Sequence, residues 1–81
     1  MTEVLFFARA REVAGTSRQV FEGETVAEII SAAVDRFGPE LAEVCATASF
    51  VVDGEMILRS ELATAHPGSE MAVLPPVSGG A

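Results

Sequence analysis

Between Thr25 and Phe37 the apolar residues Val26, Ile29, Ile30, Ala33, Val34 and Phe37 recur at helical spacing, with strand-like apolar runs both before and after them. No other feature constrains the fold as much. A helix with one apolar stripe must lay it on something, and the flanking runs supply a sheet to receive it. Thr25 begins the helix, and Glu28 follows at the spacing of a capping box. Gly38 supplies a stop. Pro39 suits the first turn of a shorter helix over "PELAEVCA", whose apolar side is Leu41, Val44 and Cys45.

Ahead of the helix, "EVLFFA" is apolar at consecutive positions, so Val4 and Phe6 point to one face and Leu5 and Phe7 to the other. Both faces want cover, as expected of a central strand with a helix on one side and a partner completing the other. "RAREVAG" reads as a short helix or loop closed by Gly15, and "SRQVFE" as a strand returning antiparallel. After the helices, "SFVVDGEMIL" is a hairpin around Asp53-Gly54, and "HPGSE" is a further turn. "MAVL" is the last strand, stopped by Pro75-Pro76 because proline donates no ladder hydrogen bond. The first and last strands are expected to run parallel, side by side. The class is therefore α+β: a mixed sheet of about five strands on one main helix. The domain is expected over residues 1–76, with 77–81 as a flexible tail.

A chain of 81 residues has room for one small core, and a hydrophobic content of 49% is enough to fill it. Twelve acidic residues against five arginines and no lysine give a net charge of −7. Such a surface repels phosphate backbones and anionic lipid, which argues against nucleic-acid or membrane partners and favours a basic protein. Cys45 and His66 are the only residues of their types, which excludes an intrachain disulfide, a Cys-rich zinc site and a Cys-ligated cluster. No metal and no bound cofactor is expected. Cys45 reads as a small core residue and His66, before Pro67, as a turn residue. With no signal segment and no apolar run near the ~18 residues of a membrane span, the expected compartment is the cytoplasm.

There is no Gly-rich phosphate loop and no nucleophile with an accompanying base, so an active site of the chain's own is not expected. The remaining chemistry lies in the tail "PPVSGGA". A C-terminal carboxylate is a poor electrophile until another enzyme adenylates it, whereupon a sulfur nucleophile can displace AMP and leave a thiocarboxylate. Glycines without Cβ leave such an acyl carbon unhindered and thread a narrow channel. Alone, Gly-Gly is also what a frayed terminus looks like.

The stretches "VLFFARAREVAG" at 4–15, "VVDGEMI" at 51–57 and "AVLPPVSGG" at 72–80, with the capped helix between them, resemble the small subunits of molybdopterin synthase. That family has a ubiquitin-like β-grasp fold and is grouped with the thiamin-pathway sulfur carriers, which generally lack the stretch from Phe6 to Gly15. The resemblance implies a non-catalytic carrier. Its Gly80, preceded by Gly79, would be adenylated with ATP by an activating enzyme, thiocarboxylated with help from a sulfurtransferase, and inserted into the synthase large subunit. There the sulfur passes to a pyranopterin precursor in molybdenum cofactor synthesis. A heterotetramer with the large subunit is implied. Arg11 matches the family's partner-facing arginine, and Leu74 its apolar contact before the prolines. Phe7, Pro75, Pro76 and Val77 complete the expected partner surface.

Three positions depart from the family pattern. Val52-Asp53 and "PGSEM" at 67–71 alter turns without removing turn chemistry, whereas Ala81 follows the glycine that must be terminal. A C-terminal peptidase is then expected to act first. Three alternatives stay open at this stage: a protease-processed carrier for cysteine or another thio-metabolite, a noncovalent ubiquitin-like adaptor binding through Leu5 or Phe7, and a protein modifier.

Overall fold

The computed structural model describes residues 1–76. The elements in order are Thr2–Phe6 (β1), Ala8–Ala14 (α1), Arg18–Phe21 (β2), Val26–Phe37 (α2), Pro39–Thr47 (α3), Ser49–Val52 (β3), Glu55–Ile57 (β4) and Glu70–Leu74 (β5), with one 3₁₀ turn at Arg59–Glu61. The sheet order is β2-β1-β5-β3-β4. Only β1 and β5 pair in parallel, with Val4 opposite Met71 and Phe6 opposite Val73. β1–β2, β3–β4 and β3–β5 are antiparallel. This is the β-grasp arrangement, with the first and last strands side by side as the sequence predicts.

The core lies on one face of the sheet. Val4, Phe6, Phe50, Val52, Met71 and Val73 are buried there at alternate strand positions, against Val26, Ile29 and Ala33 of α2. α2 is the longest helix but not the only cover: Ala10 and Ala14 of α1 and Leu41 and Cys45 of α3 join the same cluster. Phe37 closes one end, meeting Phe6 edge-on at 5.5 Å and Phe21 at 6.2 Å between ring centroids.

Thr25 caps α2 by accepting the Glu28 amide at 3.1 Å. The return half of the box is displaced by one residue: the Glu28 carboxylate accepts from the amide of Glu24, at 2.9 Å, rather than from Thr25. The next two amides, of Val26 and Ala27, donate to the carbonyls of Ala65 and Leu62, so the segment before β5 satisfies donors that a helix start leaves open. Gly38 ends α2 at φ 102 and Pro39 opens α3.

The β3–β4 turn places Asp53 at φ 46 and Gly54 at φ 88, both left-handed as a two-residue hairpin requires. Asp53 does more than turn. Its carboxylate accepts from the amides of Ser69 and Glu70, the latter at 2.9 Å, and so ties the hairpin to the start of β5. At the other end of β3, Arg59 donates to the carbonyls of Ala48 (2.6 Å) and Cys45 (3.2 Å), where α3 leaves acceptors open, and its guanidinium lies 5.9 Å from the Phe50 ring centroid.

Candidate functional site

The face of the sheet away from the helices is also apolar along its centre. The strand registers align Leu5, Ala72, Val51 and Met56 across β1, β5, β3 and β4. Leu5, Ala72 and Val51 are half-buried, and Met56 is 64% exposed. One step further along, the Phe7 amide still donates to the Val73 carbonyl, which continues the parallel pairing and sets Phe7 beside Leu74. Phe7 is exposed, and so are Leu58 and Val20.

Phe7 is also the N-terminal cap residue of α1, its carbonyl accepting from the amides of Ala10 and Arg11. The chain makes this change from strand to helix through Ala8, which sits at φ 50. A left-handed alanine costs on the order of 1 kcal/mol, and here it holds the exposed Phe7 ring and α1 in fixed relation. Arg11, one helical turn after Phe7, lines a shallow depression of about 190 Å³ with Leu5, Phe7, Ala8 and Arg18. Arg11 makes no ion pair among the described residues, whereas Arg9 pairs with Glu12 (3.2 Å) and Glu40 (3.6 Å), and Arg18 with Glu3 (3.2 Å).

Pro75 and Pro76 follow β5 directly and border a groove shared with Ala8. The expected partner residues Phe7, Arg11, Leu74, Pro75 and Pro76 thus gather about the β1–α1 junction and the end of β5. Val77, Gly79, Gly80 and Ala81 lie outside the described residues.

Cys45 is buried in the core, and burial pushes its thiol from 9.0 up to about 11, a rise that the Arg59 charge only partly offsets. A thiol so held is protonated and a poor nucleophile, in keeping with a packing role. His66 accepts the Gly68 amide through Nδ1 at 3.0 Å, as a turn residue does. Among the described residues no helix is long and apolar enough to cross a membrane.

Sequence reasoning missed Met56 and Leu58 as part of the exposed apolar face. The signal was there: once Asp53-Gly54 fixes the hairpin register, Met56 must share a face with Val51.

Residues 4–80 match the ThiS family. The chain belongs to that family. Among the relatives of this ThiS-family chain are molybdopterin synthase sulfur carrier subunits of Chlamydomonas reinhardtii, 35% identical with 96% of each chain covered, and of Homo sapiens, 35% identical with 96% of this chain and 92% of the relative covered. A similar solved structure is small archaeal modifier protein 1 from Methanosarcina acetivorans, with a TM-score of 0.81 at 28% identity over 96% of this chain and 94% of that one.

Proposed function

We propose that this ThiS-family chain is the sulfur-carrier subunit of a molybdopterin synthase. The observation that carries the reading is a family match that runs through the β-grasp domain, past Pro75-Pro76, to Gly80. Near-full-length relatives named as that subunit support it. An activating enzyme joins the Gly80 carboxylate to the α-phosphate of ATP with loss of pyrophosphate. A sulfurtransferase persulfide displaces AMP, and a thiol then cleaves the resulting acyl disulfide to leave the thiocarboxylate. The thiocarboxylate then enters the large subunit and gives its sulfur to a pyranopterin precursor. Catalytic side chains belong to the large subunit, and this chain supplies the apolar and Arg11 contacts that hold the tail in place.

Residues after Gly80 must be absent for this chemistry. Ala81 turns the Gly80 carbonyl into an amide, which cannot be adenylated, and an extended residue moves the carboxylate about 3.3–3.6 Å out of register. On this reading the acyl adenylate forms only on a chain from which Ala81 has been removed, as a C-terminal peptidase would do. The test is intact mass after incubation with an activating enzyme, ATP and a sulfur donor, using chains that end at Gly80 and at Ala81. A gain of about 16 Da on the Gly80 chain alone is expected, the difference between sulfur and oxygen in the acyl product. Equal gains with sulfur on Ala81 exclude processing, and no gain on either chain excludes the carrier reading.

The likeness to a small archaeal modifier protein favours a second reading, in which the same acyl adenylate is passed to a lysine amine of another protein. With no lysine in the chain, it could not extend chains on itself through lysine. An amide-linked conjugate in place of the thiocarboxylate, seen by mass in the same incubation with lysate protein added, distinguishes the two.

A further inference from the structure

A groove of about 600 Å³ lies between α1 and α3 at the point where the chain leaves β5. Its lining is largely apolar, with Ala8, Val44, Pro75 and Pro76, and carries Glu40 and Glu43 along its α3 side. It is distinct from the apolar sheet face, and Ala8 separates the two.

Charge identifies the occupant. Arg9 is the one basic residue in the lining, and its guanidinium is already shared between Glu12 and Glu40. Glu43 has no cationic partner among the described residues, so two carboxylates of the lining, Glu40 and Glu43, face one guanidinium that Glu12 outside the groove also draws on. Pro76 lines the groove, and the residues that follow it in sequence carry no basic side chain, so they offer no ion pair to Glu40 or Glu43. A cation with an apolar neighbour suits both parts of the groove.

We propose that this groove docks a segment of a protein partner in which an arginine or lysine flanks an apolar residue, the base pairing with Glu40 and Glu43 and the apolar side chain lying on Val44. It rests on the reading that a partner takes hold of the chain beyond Pro76, a residue that itself lines the groove. The net charge of −7 draws a basic segment toward the chain, and the groove gives that attraction a fixed place to act. It is a second anchor beside the sheet face and restricts rotation of the carrier about its tail.

The test is an amide NMR titration of the full chain with the peptide acetyl-Leu-Arg-Leu-Arg-amide, and with its counterpart carrying glutamate for arginine. Saturable shifts at Ala8, Val44 and Thr47 with the basic peptide only are expected. Binding by the double variant Glu40→Gln/Glu43→Gln should be weaker by roughly fivefold, the loss of two exposed ion pairs. Equal shifts with the acidic peptide, shifts confined to the sheet face, or an unchanged double variant would overturn the proposal. So would nuclear Overhauser contacts between Val77 and Val44 methyls in the free chain, which would make the tail itself the occupant. The titration needs neither activating enzyme nor large subunit, so failed sulfur loading with intact peptide binding rejects only the carrier reading.

Discussion

Phe6 and Phe7 are adjacent, carry the same ring and leave opposite faces of one strand, yet Phe6 is 2% exposed and Phe7 44%. The same division holds across the sheet. Val4, Phe50, Met71 and Val73 are sealed beneath the helices, while Leu5, Val51, Ala72 and Met56 in the intervening positions meet solvent in part or largely. Both faces are apolar, so hydrophobicity alone does not tell a covered face from an open one. What separates them is cover from the described chain: three helices cover the inner face, and among the described residues no helix covers the outer.

The sharpest test sets the two rings against each other. Phe6→Ala removes a buried ring packed against Phe37 and should cost about 3–5 kcal/mol in denaturant unfolding, a large part of the total for so small a domain. Phe7→Ala should cost under about 1 kcal/mol, as surface changes do. Comparable losses would erase the distinction between the faces.

The outer face should then reveal itself in binding. Phe7→Ala or Leu74→Ala should weaken association with a synthase large subunit by about 1–3 kcal/mol while leaving unfolding midpoints nearly unchanged, as calorimetric titration beside denaturation would show. Wild-type affinity in both variants would move the interface off this face.

The inner layer makes a prediction in pH. Because the Cys45 thiol is raised from 9.0 to about 11 in the folded chain, the unfolded chain loses its proton first as pH rises. The contribution is intact below pH 9 and lost as pH climbs toward about 11, by an amount on the order of 1–3 kcal/mol. Cys45→Ala, compared with the parent chain over that window, should remove the slope. A slope that persists belongs to other groups.

The smallest effect concerns Arg11. Arg11→Glu should weaken large-subunit binding at low salt and differ little from the parent at high salt, since an exposed charge acts through a screened field. Salt-independent weakening would mean that Arg11 is desolvated in the complex.

Much of this fold was legible because it is specified locally. The Thr25 cap, the Gly38-Pro39 break and the Asp53-Gly54 turn each follow from a few neighbouring residues. The parallel meeting of β1 and β5 was legible at a coarser level, from strand order around one helix. What escaped depends on residues brought together from afar. That Asp53 would take the β5 amides, or Arg59 the carbonyls of Ala48 and Cys45, requires those partners to be already in place. Ala8 at φ 50 had no local signal, because alanine marks no turn. At the candidate site, Phe7, Arg11, Leu74 and the prolines were named from resemblance and lie about the β1–α1 junction and the end of β5. The exposure of Met56 and Leu58 instead needed the hairpin register to be followed outward. Val77, Gly79 and Gly80, where the proposed chemistry takes place, lie outside the described residues.

The parallel pairing of β1 with β5 has a mechanical consequence. Tension applied through the C-terminus against a restraint at the N-terminus pulls these neighbours lengthwise past one another, because the force enters β1 at Thr2 and β5 at Leu74, at opposite ends of the shared ladder. In that shear geometry the hydrogen bonds between the strands bear the load together instead of opening one after another like a zip. An antiparallel pair grasped at neighbouring ends would peel. Tension along the chain from Thr2 to Leu74 therefore loads the parallel seam at the middle of the sheet as one unit, and that seam should yield late under pulling.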